Sequence, residues 1–489
     1  MTAVELGPIR DALHDAQLLV EERGPLPDTI ASIADDSRKV AHGSLFLAVR
    51  GAERDGHAFL ARAADQGAVA AIVDDASQTT LPVLVVNDTR RAAAVAAAAF
   101  YRNPARGLHL VGVTGTNGKT TTVGMLRHLL DAPAGSAASI GTLGVLVGSA
   151  GTPLNGGSGL TTPGPVELQR VLRALVDAGV RTVAMETSSH ALHQRRVEGL
   201  RFDAGVFTNL TRDHLDYHLT MEAYLAAKAL LVGLIADRGA AIVNADDPAW
   251  NALPAAPRTV RYGGAAGADV GVRDVKCGPD GSRLVMTFGE ERHAVTLPLI
   301  GDFNVTNALA AAACAWSLGI APRAVVGRLA ALPQVPGRLE IIHSRPTVLR
   351  DYAHTPDALE RAIAAVRPFA AGRLIVVFGC GGDRDRGKRP EMGRIAVEGA
   401  DVAIVTSDNP RTEDPERILD DIEAGMNDVA HERIEERRDA IARAVEIARP
   451  DDLVLLAGKG HETYQIRGTT KLPFDERRIV HEIFTQQVI

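Results

Sequence analysis

The segment VTGTNGKTT, from Val113 to Thr121, constrains the fold more than any other stretch of this sequence. It joins the apolar run LHLVGVTG to a pattern typical of a helix that begins near Thr120. Its glycines let backbone N–H groups point inward, and a helix N-terminus adds partial positive charge. Lys119 would reach the outer phosphates of a nucleotide, and the Thr120 hydroxyl would hold Mg²⁺. The segment predicts a phosphate-binding loop for ATP or another nucleoside triphosphate, the alternative being a turn with a surface lysine.

Short apolar segments alternate with helical patterns on both sides of this loop, which favours parallel sheets with helices on both faces. At 489 residues the chain is too long for one hydrophobic core. Loop-forming residues at 101–107 and two prolines within 332–340 mark boundaries. We expect an α/β protein of three domains: a central parallel-sheet ATPase domain carries the phosphate loop, and a Rossmann-like domain ends the chain. The expected ranges are 1–107, 108–335 and 336–489.

Composition narrows the class of partner. Lys and Arg number 53 against 60 Asp and Glu, a net charge of −7, and no basic stripe with interleaved aromatics occurs, so nucleic acid is not an expected partner. Cys277, Cys314 and Cys380 are too far apart for a disulfide framework or a metal site. The N-terminus lacks a signal-peptide pattern, and the longest apolar stretch, 92–100, is far shorter than a membrane span. We expect a soluble, cytoplasmic protein without a membrane span.

Three features of the central block are candidates for a nucleotide site. Glu186 ends the strand-like TVAME, where α/β sheets present groups to ligands; it could bind a metal ion, or be a solvent-facing or helix-capping acid. The segment 208–218 contains several acids and histidines directly after another predicted strand, where they could contribute to the site. The simpler interpretation is a polar loop with Asp213 or Thr211 as a helix cap. Lys228 lies in the helical stretch YLAAKALL, where most lysines reach solvent.

Three charged loops follow apolar strands in the last block. They are GCGGDRDRGKRP at 379–390, DNPR at 408–411 and AGKGHE at 457–462. Asn-Pro is ordinary turn chemistry. Asp408 and Arg411 could nevertheless bind the ammonium and carboxylate of an amino acid, because arginine binds carboxylates through two parallel hydrogen bonds. Three such loops in one domain indicate a ligand cleft.

Taken together, ten motifs resemble the Mur ligases. The resemblance covers essentially the whole chain in the family's order. It also accounts for Val113, where the generic phosphate-loop pattern has glycine, because the family's loop reads TGTNGKT. The motifs are DDSR (35–38), TGTNGKTT (114–121), METSSH (185–190), TNLTRDHLDYH (208–218), GDFNVTNALA (301–310), GRLE (337–340), DYAHTPDALE (351–360), GCGGDRDRGKRP, DNPRTEDP (408–415) and AGKGHE.

The resemblance implies a domain for a UDP-linked precursor, a central ATPase domain and a C-terminal domain for the incoming amino acid. Ser37 should contact the uridine end. The muramoyl-dipeptide should be held by Thr161, Thr162, Ser188, Gln194 and Arg196. ATP should be held by Gly115, Thr116, Asn117, Gly118, Lys119, Thr120 and Thr121, with Asn304, Arg338 and Asp351 near its base and ribose. The amino acid should be held by Arg389, Asp408, Asn409, Pro410, Arg411, Gly458 and Glu462.

The same resemblance implies the chemistry. Lys228 matches a lysine that family members carbamylate to make a Mg²⁺ ligand, with Thr120, Glu186 and His214 sharing the metal sites; Lys119, Lys228 and His214 are the catalytic residues implied. The closest likeness is to the branch that adds the third amino acid to UDP-N-acetylmuramoyl-L-alanyl-D-glutamate, and DNPR favours meso-diaminopimelate. A monomer is expected. Alternatives are a lysine-adding enzyme, a folylpolyglutamate synthetase, or a P-loop nucleotide switch without ligase chemistry.

Overall fold

The structure is a computed structural model in which residues 3–51, 54–156, 159–278, 280–427 and 429–486 are described. The chain forms two compact units. Unit one contains Met1–Gly271, Thr287–Glu291 and Asn307–Arg328. Unit two contains Val272–Met286, Arg292–Thr306 and Leu329–Ile489.

Unit one begins with a mostly parallel sheet in the order β2-β7-β6-β5-β4, to which β2 adds antiparallel. The alanine-rich helix α3 packs closely against this sheet because its small side chains at 92, 93 and 96 are buried. The elements are β1 (Val4–Glu5), α1 (Gly7–Asp15), β2 (Leu19–Arg23), β3 (Thr29–Ile30), β4 (Ser32–Ala34), β5 (Ser44–Leu47), α2 (Leu60–Asp65), β6 (Ala68–Val73), β7 (Val83–Val86) and α3 (Thr89–Phe100).

The second sheet of unit one carries the phosphate loop. Its order through this part of the chain is β11-β10-β9-β12-β8-β13-β14-β15. The elements are β8 (His109–Thr114), α4 (Lys119–Leu130), β9 (Ala137–Gly141), β10 (Gly144–Val147), β11 (Thr152–Leu154), α5 (Pro165–Asp177), β12 (Thr182–Glu186), α6 (Ser189–His193), β13 (Phe202–Phe207), α7 (Leu215–His218), α8 (Met221–Ala229), β14 (Ile235–Asn244) and β15 (Thr259–Gly263).

The neighbouring strands β9, β12, β8, β13, β14 and β15 pair in parallel, as predicted. An antiparallel meander of β9, β10 and β11 extends the sheet beyond them. The sequence analysis did not foresee this meander, because its strands are short and interrupted by glycines. In the parallel part, β12 lies beside β8 with Glu186 opposite Val113. The carboxyl ends of these two strands, and the loops that follow them, therefore meet at one edge of the sheet.

Successive parts of residues 270–329 belong alternately to unit one and unit two. The elements are β16 (Val270–Gly278), β17 (Gly281–Phe288), β18 (Glu291–Leu297), α9 (Asp302–Ser317) and α10 (Pro322–Leu329). Strand β16 pairs in parallel with β15, at Tyr262 and Val270. Helix α9 begins at Asp302.

The rest of unit two is built on a sheet with the order β19-β20-β24-β21-β22-β23, parallel except for β19. The elements are β19 (Glu340–Ser344), β20 (Thr347–Asp351), α11 (Pro356–Val366), β21 (Leu374–Phe378), α12 (Lys388–Gly399), β22 (Val402–Val405), α13 (Pro415–Glu423), β23 (Glu432–Arg433), α14 (Arg437–Ile447), β24 (Leu453–Ala457), β25 (Tyr464–Arg467), β26 (Thr470–Pro473) and α15 (Glu476–Gln486).

Alternate residues of β21 show why this sheet is doubly wound. Val376 belongs to one apolar cluster with residues of α11, α12 and α13, whereas Ile375 and Val377 belong to another with residues of α14 and α15. Since both faces are buried, the strands are continuous apolar runs rather than alternating ones. The prediction of an α/β fold with a Rossmann-like C-terminal block is confirmed. Within the described ranges, every helix is too short or too polar to cross a bilayer.

Candidate nucleotide and substrate sites

The loop between β8 and α4 has the backbone of a tight phosphate loop. Gly115 has φ +146°, and a Cβ there would lie 1.9 Å from the Thr208 hydroxyl oxygen. Gly118 has φ +83°, and a Cβ there would lie 2.3 Å from Asn307 Oδ1. Helix α4 begins at Lys119, one residue before the predicted start. Both glycines are therefore required sterically, and the interpretation as an ordinary turn with a surface lysine is not needed.

The segment after β13 supports this loop. Asn209 accepts hydrogen bonds from the Thr116 amide at its carbonyl oxygen (2.7 Å) and from the Asn117 amide at Oδ1 (2.9 Å). The Thr208 hydroxyl donates to the Asn117 carbonyl at 2.7 Å. The sequence alone predicted no role for Thr208 and Asn209, although both directly follow an apolar strand, β13, where ligand-binding groups are expected. Thr120 and Thr121 are buried in the first turn of α4.

Two lysines meet at one carbonyl oxygen of the loop. Lys119 Nζ donates to the Gly115 and Thr116 carbonyls at 2.9 and 2.8 Å, and Lys228 Nζ donates to the Gly115 carbonyl at 2.7 Å. Lys228 is only 1% exposed, so the expectation that it reaches solvent is wrong. The reason is that α8 turns its Tyr224 and Lys228 side chains inward, with Lys228 Nζ 4.3 Å from the Tyr224 ring.

Lys228 is a buried amine, and within the described part of the chain it forms no ion pair, although the charge of Asp213 acts on it. Burial, and then the charge of Lys119, lower the pKa of Lys228 well below its ordinary value. The neutral amine is therefore favoured at this position, beside the phosphate loop.

Glu186 is 1% exposed at the end of β12. Its Oε1 accepts the Thr142 amide at 2.8 Å, and its Oε2 accepts the Thr142 hydroxyl at 3.2 Å. The interpretations as a solvent-facing or helix-capping acid are wrong, since the carboxylate is buried and α6 is capped by Ser188. Because β12 pairs directly with β8, the Glu186 carboxylate lies on the strand next to the start of the phosphate loop. A buried carboxylate has the charge and hardness that Mg²⁺ prefers.

His214 precedes α7 with φ +54°. Its ring centroid lies 4.7 Å from that of His190, and its Nε2 lies 3.4 Å from Asp213 Oδ2. Burial lowers the pKa of His214, so the neutral, ligand-competent imidazole is favoured. The interpretation of Asp213 or Thr211 as a helix cap is wrong, because the N-cap residue of α7 is His214 and no side chain caps that helix.

The residues expected to hold the muramoyl-dipeptide are brought together beside Glu186. The Thr162 hydroxyl donates to the Glu186 carbonyl at 2.8 Å and accepts the Ser188 amide at 3.0 Å. Arg196 donates through Nη1 to the Thr162 carbonyl at 3.0 Å and through Nη2 to Gln194 Oε1 at 2.6 Å. Thr161 lies 3.4 Å, oxygen to oxygen, from the Thr142 hydroxyl, which itself contacts Glu186.

Ser37 begins a short 3₁₀ helix, Ser37–Lys39, and is buried. Asp36 caps this helix by accepting the Arg38 amide at 2.9 Å. The neighbouring Asp35 carboxylate would lie 3.3 Å from a Cβ at Gly164, two residues after Thr162. The segment that contains Ser37 therefore adjoins the cluster around Thr162 within unit one.

Asn304, Arg338 and Asp351, expected near the nucleotide base and ribose, belong to unit two. Asp351 ends β20, where its Oδ2 accepts the Leu339 amide at 2.7 Å. Burial raises the pKa of Asp351 to about 6, although Arg338 opposes the shift. The Arg338 guanidinium lies 4.9 Å from the Tyr352 ring centroid. Asn304, in the first turn of α9, donates to the Ile300 carbonyl at 2.7 Å.

The loops after β21, β22 and β24 meet at one edge of the second sheet. Asn409 Nδ2 donates to Glu462 Oε2 at 2.9 Å. A Cβ at Gly458 would lie 3.8 Å from Asp408 Cγ, so β24 places this glycine against the acid. A Cβ at Gly382 would lie 1.9 Å from the Pro410 carbonyl oxygen, so the GCGG and DNPR loops pack directly on each other.

Arg411 and Arg389 differ in their surroundings. Arg411 has φ +53° and donates through Nη1 to the Gly382 carbonyl at 2.7 Å. Arg389, on α12, is fully buried and is paired with Glu413 at 2.9 Å and Asp421 at 2.8 Å. Hydrogen bonds from Arg389 lower the pKa of Glu413 to about 2. Two carboxylates thus already surround Arg389, a feature that sequence reasoning missed because both acids come from later segments.

The buried Lys459 was also missed. It lies within the quoted segment AGKGHE but received no role, and it is fully buried among residues of the expected amino-acid pocket.

A phosphate loop on a parallel sheet, followed by a doubly wound domain with charged strand-end loops, places the chain among multidomain α/β proteins that bind nucleotide phosphates. Three family models match in chain order: "Mur ligase family, catalytic domain" over 29–105, "Mur ligase middle domain" over 113–315, and "Mur ligase, glutamate ligase domain" over 337–460.

Relatives extend this match to nearly the full length. UDP-N-acetylmuramoyl-L-alanyl-D-glutamate–2,6-diaminopimelate ligase of Geobacillus thermodenitrificans is 45% identical over 470 residues, covering 94% of this chain and 95% of that protein. The ligase of the same name from Geobacter metallireducens is 46% identical over 501 residues, covering 95% and 96%. A solved structure of a ligase with this name has TM-score 0.69 and 32% identity, covering 100% of both chains. The chain belongs to the Mur ligase family.

Proposed function

We propose that this protein is an ATP-dependent ligase that adds meso-2,6-diaminopimelate to UDP-N-acetylmuramoyl-L-alanyl-D-glutamate in peptidoglycan synthesis. The observation that carries the proposal is the meeting, at the ends of β8 and β12, of a phosphate loop, a buried acid and the cluster around Thr162. Such an arrangement suits phosphoryl transfer between a nucleotide and a second substrate. The names of relatives about 45% identical over nearly the whole chain support the choice of substrates.

The chemistry follows from what an amide bond requires. A carboxylate does not react with an amine at neutral pH, because oxide is too poor a leaving group. A side-chain carboxylate oxygen of D-glutamate attacks the γ-phosphorus of ATP, ADP leaves, and an acyl phosphate forms. The amine then attacks the acyl carbon, loses a proton, and phosphate departs with the original carboxylate oxygen. Lys119 neutralises the charge that develops on the transferred phosphoryl group, so catalysis is mainly positioning and electrostatics.

The residues present fit Mg²⁺. Glu186 offers a buried carboxylate beside the phosphate loop, and hard oxygen ligands are those that Mg²⁺ prefers. When bound, Mg²⁺ screens negative charge on the phosphates. The residues proposed to hold it are Thr120, Glu186, His214 and carbamylated Lys228.

Carbamylation of Lys228 is supported by its surroundings. A buried cation without a counter-ion is costly, and the neutral amine that burial favours is the form that adds to carbon dioxide. The resulting carbamate would be an anionic oxygen ligand next to Gly115 instead of a second cation beside Lys119.

We propose the following binding residues. Gly115, Thr116, Asn117, Gly118, Lys119, Thr120 and Thr121 hold the ATP phosphates, and Asn304, Arg338 and Asp351 are further nucleotide-binding residues. Ser37, Thr161, Thr162, Ser188, Gln194 and Arg196 hold the precursor. Arg389, Asp408, Asn409, Pro410, Arg411, Gly458 and Glu462 form the amino-acid pocket; Lys119, Lys228 and His214 are the catalytic residues.

We further propose that the chain has three domains, 1–107, 108–335 and 336–489, and acts as a monomer in the cytoplasm. The first boundary lies between the family models over 29–105 and 113–315, and the model over 337–460 begins next to the second boundary.

Phosphate release from ATP tests the function. Purified protein is given UDP-N-acetylmuramoyl-L-Ala-D-Glu with either meso-diaminopimelate or L-lysine. Release that requires the precursor and diaminopimelate supports the proposal. Phosphate release with lysine alone would show that lysine, and not diaminopimelate, is the amino-acid substrate. Phosphate release that does not depend on either amino acid would favour a nucleotide switch.

A further inference from the structure

Lys459 follows β24 and has no exposed side-chain surface. Its Nζ donates to Asn409 Oδ1 at 3.0 Å and to Glu462 Oε2 at 3.2 Å, and lies 3.3 Å from Asp408 Oδ1. Three residues of the proposed amino-acid pocket therefore converge on one ammonium group. Their contacts come from two separate loops, those after β22 and β24.

The Asn409 side chain shows what this convergence does. Its Oδ1 accepts both Lys459 Nζ and the Ile466 amide, the latter at 2.9 Å. With two donors on the oxygen, the amide can turn only one way, and Nδ2 then donates to Glu462. Lys459 thus fixes the orientation of Asn409 and, through it, of Glu462.

The charges in this cluster nearly cancel. Asp408 and Glu462 carry two negative charges, and Lys459 supplies one positive charge between them. Burial alone would raise the pKa of Asp408, but Lys459 and Arg437 more than offset it, so the pKa lies below its ordinary value. Arg437 itself is paired with Glu476 at 2.7 Å. Asp408 is therefore kept ionised, and the group of Asp408, Glu462 and Lys459 has one formal negative charge in excess, which suits one ammonium group of a ligand.

Asp408 Oδ1 is incompletely paired. It is buried, and Lys459 Nζ lies 3.3 Å away, but that ammonium also donates to Asn409 and Glu462, so Asp408 Oδ1 accepts no hydrogen bond of good geometry among the described residues. A buried carboxylate oxygen of this kind is costly unless a donor reaches it. An incoming ammonium would be such a donor.

We propose that Lys459 is a positioning residue for the amino-acid substrate: it holds Asp408, Asn409 and Glu462 in one arrangement and sets the charge that receives the substrate ammonium. This inference rests on the proposed function. Lys459 acts through these three residues and, being enclosed by them, does not itself contact the substrate.

The test compares Lys459→Met and Lys459→Gln with the wild-type enzyme. Lys459→Gln keeps a hydrogen-bond donor but removes the charge, and it still tests the inference if Lys459→Met fails to fold. We expect the KM for diaminopimelate to rise at least about tenfold in both variants, because a hydrogen bond to a charged group is lost. The KM values for ATP and the precursor should stay within about twofold of the wild-type values. The matched control is Arg373→Met, which breaks the ion pair with Asp452 where β21 and β24 begin, at the end of β24 opposite to Lys459.

A double-variant cycle separates positioning from stability. If Lys459 offsets Glu462, Lys459→Gln should raise the KM for diaminopimelate less in a Glu462→Gln background than in the wild type. Unchanged KM for diaminopimelate in Lys459→Gln, an equal rise in Arg373→Met, or simple multiplicativity in the cycle would each overturn the inference. A wild-type enzyme without diaminopimelate-dependent phosphate release would instead overturn the proposed function, on which this inference depends.

Discussion

The two units each bury a lysine beside a proposed site, and the two lysines differ in their partners. Lys228 in unit one contacts a carbonyl oxygen and an aromatic ring, and no carboxylate of the described residues pairs with it. Lys459 in unit two contacts two carboxylates and an amide oxygen. Burial of a charge is tolerated when the charge is paired, and otherwise favours the neutral form. One environment suits a reactive amine and the other a fixed cation.

Two buried acids of unit two, Asp351 and Asp408, also differ in their charged neighbours, and their pKa values shift in opposite directions. Burial raises the pKa of Asp351 to about 6, since the neighbouring Arg338 offsets only part of the cost. The pKa of Asp408 lies below its ordinary value, because Lys459 and Arg437 outweigh the effect of burial. Because the two acids are buried to a similar degree, the opposite directions of their pKa shifts follow from their cationic neighbours.

The largest expected effect comes from removing Lys228. Lys228→Ala should lower kcat on the order of 10³-fold, comparable to the loss of one preorganised charge-stabilising group. Added acetate or formate should restore part of the activity by supplying a carboxylate in place of the carbamate. Steady-state phosphate release with and without these anions measures both effects.

Lys459→Ala is the matched control for this experiment, because it removes a buried lysine that already has carboxylate partners. Acetate should not rescue it. Near-normal activity of Lys228→Ala, or equal rescue of both variants, would remove the distinction between the two lysines.

The second prediction concerns stability. Lys459→Met leaves Asp408 and Glu462 without their cation and should destabilise unit two by about 3 kcal/mol or more. Lys228→Met replaces an unpaired amine by an apolar side chain of similar length and should leave the stability of unit one nearly unchanged. Hydrogen exchange in peptides from β24 and β8, measured without Mg²⁺ and in buffer depleted of carbon dioxide, reports each unit. Equal losses in the two variants would contradict the prediction.

The sequence was sufficient for the features that depend on local context. The order of strand, glycine loop, Lys-Thr and helix located the phosphate loop to within one residue of the observed helix start. The strand-end positions of Glu186, Asp408 and Gly458 followed from the alternation of apolar runs with helices, because parallel strands end at the same edge of a sheet. Local pattern thus located these site residues without any knowledge of packing.

The features that the sequence could not supply depend on tertiary packing. Nothing in YLAAKALL distinguishes a lysine that faces the phosphate loop from one that faces water; only the orientation of α8 does so. The pairing of Arg389 with Glu413 and Asp421 joins segments from two neighbouring elements. The meander of β9, β10 and β11 was missed because short strands rich in glycine carry little periodic signal.

The third prediction uses the raised pKa of Asp351. Since the folded-state pKa, about 6, exceeds the ordinary value of about 4, the native state holds a proton more tightly than the unfolded state. The contribution of this group to stability is therefore present below about pH 4 and is lost as pH rises through 6, by on the order of 3 kcal/mol. Hydrogen exchange in β20 should show this loss in the wild type and not in Asp351→Asn. An equal dependence of β20 protection on pH in the wild type and in Asp351→Asn would contradict the raised pKa of Asp351.

The smallest expected effect concerns the choice of amino-acid substrate in unit two. The negative charge around Lys459 attracts the ammonium group that diaminopimelate and lysine share, so it does not distinguish the two. That distinction requires a group for the distal carboxylate. Among the described residues, the Arg411 side chain makes one hydrogen bond, to the Gly382 carbonyl, so most of its guanidinium N–H donors are available to a ligand. Arg411→Ala should reduce the preference for meso-diaminopimelate over L-lysine, as a ratio of kcat/KM values, by roughly 10- to 100-fold.

The control for Arg411 is Arg394→Ala, which removes an exposed arginine of α12 that is paired with Glu398. This control should keep the wild-type preference. Because Lys459 acts on the ammonium shared by both substrates, Lys459→Gln should raise KM for each by a similar factor and leave the ratio unchanged. If Arg411→Ala instead raised KM equally for both amino acids, Arg411 would bind the carboxylate they share, and specificity would have to come from another residue of the pocket.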